Sequence, residues 1–183
     1  IAKKFNNLSI DEAEKFLQSP YHEERLFALF ILVDLFKKGN EEDKKKIYEL
    51  YLKNTNFINN WDLVDVSAGT IVGAYLFKRN KETIYKLAQS ENLWERRIAI
   101  MSTFYFIAQN EFTDTLKIAE MLLNDKEDLI HKAVGWMLRE IGKRNLELEE
   151  SFLKKHFKNM PRTMWRYTIE KFPEEKRKSY LKK

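Results

Sequence analysis

Asp65 is a carboxylate on the border of an apolar helix face, in the segment NNWDLVD. Asn60 is placed to cap a helix there, which puts Trp61 and Asp62 in its first turn. Capping and the helix dipole account for Asp62. They do not account for Asp65, which lies past that turn and shares a face with Trp61, Ala68 and Val72. A carboxylate so placed needs a partner or a purpose: an ion pair with an arginine of the next helical unit, or chemistry. Arg97 raises the same question. It lines up with Met101, Phe104 and Ala108, an apolar row, with Trp94 three residues before it. It is expected to pair with Asp65, to bind a phosphate, or both, since a guanidinium has five donors. Arg96 beside it is expected on the exposed side.

A second constellation surrounds Trp136. Lys132, Trp136, Arg139 and Lys143 follow one another at i, i+4, i+7 and i+11, whereas the core of that helix is expected on Ile130, Val134, Met137 and Ile141. An indole that interrupts a basic stripe has two readings. It packs beneath lysine and arginine stems, or it offers a ring to a nucleic acid whose phosphates the cations hold. Arg162 and Arg166, with Trp165 between them, extend the pattern.

These residues must be held by helices. Ser9 and Glu12 form a capping box ahead of Ala13, Phe16 and Leu17. Pro20 separates that helix from one whose apolar face is expected on Leu26, Leu29, Phe30, Val33 and Phe36, ended by Gly39-Asn40. Further helices are predicted at about 41–53, 61–77, 80–89, 92–109, 112–124, 127–143, 147–158, 161–171 and 174–182, and no segment alternates with period two. Ala28, Ala99, Ala133 and Thr168 take matching places in HEERLFALFIL, WERRIAIMSTF, IHKAVGWMLRE and MWRYTIEKFPE. Their separations are 71, 34 and 35, and the helix at 61–77 fills the open slot. A period near 35, with a shorter helix between each pair, marks an α-solenoid whose long, basic inner helices line a concave face. The TPR consensus is absent, which favours HEAT-like pairs. The predicted fold is therefore all-α, one HEAT-like domain over residues 1–183.

Composition narrows the function. The 183 residues include no cysteine, so disulfides and thiolate chemistry are excluded. His22, His131 and His156 are isolated. No P-loop, dinucleotide, zinc-protease or nucleophile-elbow motif occurs, so neither a metal nor a cofactor is expected. No apolar run approaches the roughly 20 residues of a membrane span, and no signal peptide is visible, so a cytoplasmic location is expected. The charge is uneven: from His131 to Lys183 there are 15 Lys/Arg against 7 Asp/Glu, and before that 18 against 21. A basic C-terminal part points to a polyanion partner or to a solvated lysine-rich surface.

The segments NNWDLVDVSAGTIVGAYL, LWERRIAIMSTF, DKEDLIHKAVGWMLREIGKR and MPRTMWRYTIEKFPEEKR resemble, in order and over nearly the whole chain, the AlkD-like DNA alkylation repair proteins. The resemblance implies a curved array of HEAT-like helical pairs that excises cationic alkylpurines, 3-methyladenine and 7-methylguanine, from double-stranded DNA. It places the family's site on Trp61, Asp65, Arg97, Trp136 and Arg139. The base of such a lesion already carries positive charge and leaves neutral, so no strong general acid is required. Asp65 is then expected to stabilise the oxocarbenium-like sugar and orient a water, and Trp61 and Trp136 to face the cation. Arg97 and Arg139 are expected to hold phosphates. The resemblance also implies that the concave face grips the backbone around the lesion instead of flipping the base. Related chains carry an extra N-terminal helical segment with a G-x-Y-x-x-x-D stretch, which this sequence, opening at Ile1, does not show; they often have proline where Gly69 stands.

Three functions are therefore expected in competition. One is a monofunctional glycosylase acting as a monomer, with Asp65, Trp61, Trp136 and Arg97 in its site and Arg139, Lys132, Lys143, Arg96, Arg162 and Arg166 on DNA. The second is a non-catalytic module for damaged or branched DNA, which binds with steep salt dependence and releases no base. The third is a scaffold for a protein partner, for which DNA binding is weak.

Overall fold

Several helices start where a short polar side chain caps them. In the computed structural model, which describes residues 8–181, the Ser9 hydroxyl accepts from the Glu12 amide at 3.2 Å while the Glu12 carboxylate accepts from the Ser9 amide at 2.8 Å. That box opens α1 (Ile10–Leu17). Asparagines do the same elsewhere. Asn40 opens α3 (Glu41–Lys53), Asn60 opens α4 (Trp61–Ala68), Asn92 opens α7 (Leu93–Ala108) and Asn145 opens α10 (Leu146–His156). The remaining helices are α2 (His22–Lys38), α5 (Ala74–Leu76), α6 (Glu82–Ala88), α8 (Thr113–Met121), α9 (Asp128–Gly142), α11 (Arg162–Thr168) and α12 (Glu174–Leu181). No strand occurs among the described residues, and the fold is all-α. No helix among them is long and apolar enough to cross a membrane. Ile1 and the last residue of the helix predicted at 174–182 lie outside the described residues.

The helices form two layers. α2, α4, α7, α9 and α11 pack each on the next in a continuous row, and α1, α3, α6, α8 and α10 pack on that row from the other side. The register of the row is the repeat seen in the sequence. Ala28, Ala99, Ala133 and Thr168 are all fully buried, and Val64 fills the slot between the first two. Small side chains there let neighbouring backbones approach. Two glycines carry this furthest. A Cβ on Gly73 would fall 2.1 Å from the Ser102 carbonyl oxygen, and one on Gly135 would fall 2.4 Å from that of Met164.

Three expectations are corrected. The helix at 61–77 is not one regular α-helix: a π-helical turn over Gly69–Gly73 joins α4 to α5. Gly69 opens that turn and Gly73, pressed on α7, closes it. Phe30 does not join the buried face of α2 but is 43% exposed. α2 is packed on both sides, against α1 and against α3 and α4, so its buried set is Ala28, Leu29, Ile31, Leu32 and Phe36. α11 stops at Thr168, and a 3-10 turn (Ile169–Lys171) covers the rest of the predicted 161–171.

Candidate active site

Asp65 sits in the second turn of α4, and its partner comes from the next helix of the row. Arg97 donates from Nε to Asp65 Oδ1 at 2.9 Å and from Nη2 to Oδ2 at 2.8 Å. Its Nη1 donates to the Leu129 carbonyl at the start of α9. One guanidinium thus ties three successive helices of the row together. Paired donors in a fixed fork impose direction as well as attraction. The Arg97 side chain is 5% exposed, which closes it to a phosphate, and Asp65 is 14% exposed. A carboxylate has about four lone-pair sites. Arg97 uses two, so Asp65 keeps acceptor capacity toward solvent. One turn earlier on the same face, Trp61 is 53% exposed. Asp62 is occupied separately, with His22 Nε2 at 2.7 Å and the Leu63 amide at 2.9 Å.

Across the row the face continues on α7 and α9. Phe104, itself exposed, has its ring centroid 6.2 Å from that of Trp136. Trp136 is half-buried, and its Nε1 donates to Glu140 at 3.1 Å. The hydrogen bond and charge of Asp128 push the ammonium of Lys132, one turn before, above the usual lysine range. The ion pair with Lys132 and a hydrogen bond from Thr163 hold the Asp128 carboxyl below the usual carboxylate range. The core of α9 lies on Ile130, Val134, Met137 and Ile141, all fully buried, as its periodicity requires.

The basic stripe is not a row of free cations. Lys132 pairs with Asp128 at 2.7 Å, Arg139 with Glu170, and Lys143 with Glu140 at 2.6 Å. Arg96 is also corrected. It is not exposed but pinned, with Nε donating to Asp125 at 2.6 Å and Nη1 to the carbonyls of Ser90 and Glu91. It holds the loop before α7 to the loop before α9. Arg162 and Arg166 are exposed, with no ion pair among the described residues. Trp165 between them turns away, edge-on to Phe157 at 5.4 Å. Sequence reasoning put Phe104 in the row of Arg97 without foreseeing its exposure, and it missed Tyr167 and the acids that neutralise the stripe. The i,i+4 spacing of Asp128 and Lys132 was a visible signal for one such acid. Glu170, which reaches Arg139 from the next repeat, had none.

The family profile described as DNA alkylation repair enzyme matches residues 1–172. Three solved structures resemble the fold. A predicted DNA alkylation repair enzyme of Enterococcus faecalis superposes with a TM-score of 0.72 at 18% identity, over 94% of this chain and 81% of that one. AlkD2 of Streptococcus mutans gives 0.65 at 21% identity, over 94% and 86%. The smu.31 protein of Streptococcus mutans UA159 gives 0.62 at 22% identity, over 93% and 88%. At these identities the likeness is one of fold. No curated protein matches the sequence.

Proposed function

The chain belongs to the DNA alkylation repair enzyme family, and on that premise we propose that it is a monofunctional DNA glycosylase that hydrolyses the N-glycosidic bond of cationic alkylated purines such as 3-methyladenine and 7-methylguanine. The observation that carries this reading is the clamped carboxylate. Asp65 is held by both oxygens to one buried arginine, yet keeps an open edge one turn from the exposed Trp61.

The chemistry asks little of the protein beyond fixed charge. As the bond to a cationic purine breaks, positive charge passes to the sugar and the base departs neutral. A carboxylate fixed before the reaction stabilises that developing charge without reorganising. Asp65 does this, and its free lone pairs orient a water for attack on the sugar. Arg97 holds Asp65 in place and does not touch DNA. Trp61 and Trp136 present aromatic faces to the cation. Phosphate contacts fall to Arg162 and Arg166, which have no ion pair among the described residues, and to Lys132, Arg139 and Lys143, which exchange an acid for a phosphate. The protein acts as a monomer on duplex DNA, and the lesion stays against this open face.

Base release tests the reading. Duplex DNA carrying 7-methylguanine should lose the free methylated base in the presence of the protein, while an unmodified duplex stays intact. Tight, salt-sensitive binding of both duplexes without base release would show a binding module and refute the enzyme.

A further inference from the structure

Beneath Arg139 lies a cavity of about 170 Å³, walled by Gly142, Glu149, Thr168 and Phe172, with Lys143 and Lys171 at its mouth. Two buried polar atoms of residues that line it have no hydrogen-bond partner among the described residues: Arg139 Nε and Glu149 Oε1. Glu149 is 2% exposed. Its carboxyl lies over the backbone of Gly142, where a Cβ would fall 1.6 Å from Oε2, so the glycine makes room for the acid. Glu170 takes Arg139 Nη1 on the outside, which leaves the Nε edge turned inward. Native chains leave few buried polar atoms unpaired, and two on the residues around one cavity mark it as a polar site.

We propose that this cavity seats one phosphodiester of the DNA backbone, whose oxygens accept from Arg139 Nε–H and from the carboxyl O–H of Glu149, with Lys143 and Lys171 supplying charge at the mouth. The inference rests on the DNA reading above and adds Glu149 as a binding residue of it. The cavity is well under the roughly 300 Å³ at which pockets for larger organic ligands begin. It suits a compact anion and not a base. A carboxyl can serve here only as the neutral acid, because the carboxylate has no proton to donate and repels phosphate. Burial, with Glu150 beside it, pushes Glu149 up to about 8, so the acid form prevails at neutral pH. The charged and titratable groups that face it are Arg139 and Lys143 from α9, Lys171 beyond α11, Glu150 on its own helix, and Lys176 and Tyr180 from α12.

The test is the affinity for a short unmodified duplex, by fluorescence anisotropy at fixed ionic strength, from about pH 6.5 to about pH 9. If only the protonated acid binds, linkage makes the wild-type affinity fall about tenfold between about pH 7 and about pH 9. Glu149→Gln keeps a donor that does not titrate, so its affinity should stay level across the range. Lys171→Ala, at a site 64% exposed and thus harmless to folding, should weaken binding several-fold and keep the pH step. Equal pH profiles for wild type and Glu149→Gln would overturn the phosphate seat while leaving the DNA reading intact. No duplex binding by the wild type at any pH would overturn both. Inorganic phosphate that binds in wild type but not in Glu149→Gln, without competing with duplex, would assign the seat to a free anion and overturn the backbone contact.

Discussion

Replacing Arg97 with methionine should damage the fold more than any other change on this face. The side chain is 5% exposed and makes three hydrogen bonds, two to Asp65 and one to the Leu129 carbonyl. Methionine keeps much of the volume and removes the charge. Asp65, 14% exposed, is then a nearly buried carboxylate with no cation. Breaking a buried pair from one side costs about 3–5 kcal/mol, and the open edge of Asp65 puts this case near about 3. For a chain of this size that lowers the melting temperature by about 6–12 °C. Thermal melts followed by circular dichroism measure it, with urea titration to check that the m-value is unchanged. Asp65→Asn with Arg97→Met leaves neither charge uncompensated. The double variant should therefore lose less than the sum of the two single changes. A drop below about 2 °C for Arg97→Met, or strict additivity in the double variant, would show that the pair does not hold the row together.

Three further outcomes follow from the same structure. Glu149 is raised from its ordinary 4.5 to about 8, so between those values the folded chain holds a proton that the unfolded chain has lost, and stability falls as pH rises through that window; Glu149→Gln should gain most over wild type near pH 8 and least near pH 4.5 in denaturant titrations. Gly135→Ala places a methyl 2.4 Å from the Met164 oxygen and 2.6 Å from the Tyr167 Cβ, forcing α11 off α9. Overpacking of this kind costs about 1–3 kcal/mol, or roughly 6–12 °C in thermal melts at the upper end. Glu170→Gln releases Arg139 to phosphate, and because the pair is half-exposed on the Glu170 side the duplex affinity should rise only about two- to fivefold in anisotropy titrations.

The fold was legible in the sequence to within a few residues because helix signals are local. Ser9 with Glu12, and Asn60, mark starts that the structure keeps. The repeat at Ala28, Ala99, Ala133 and Thr168 recurs because each site is a contact between adjacent long helices, where bulk is excluded. The π turn at Gly69–Gly73 was not legible, since it arises from the close approach of Gly73 to Ser102 on another helix. The site divides in the same way. Asp65 and Arg97 drew notice as charges on apolar rows, and they meet. Arg96 misled because its partner, Asp125, sits in a loop 29 residues on, a distance that spacing rules do not span. The unpartnered Glu149 shows only once Gly142 and Arg139 are placed around it.

The most direct test of the central claim is single-turnover release of 7-methylguanine from duplex DNA by wild type and by Asp65→Asn. The amide keeps the shape of Asp65 and removes its charge. The account predicts that the wild type frees the base and that Asp65→Asn is slower by about 100-fold or more, the loss of about 2.7 kcal/mol of transition-state stabilisation. Release at equal rates by the two proteins, or by neither while both bind DNA, would contradict it.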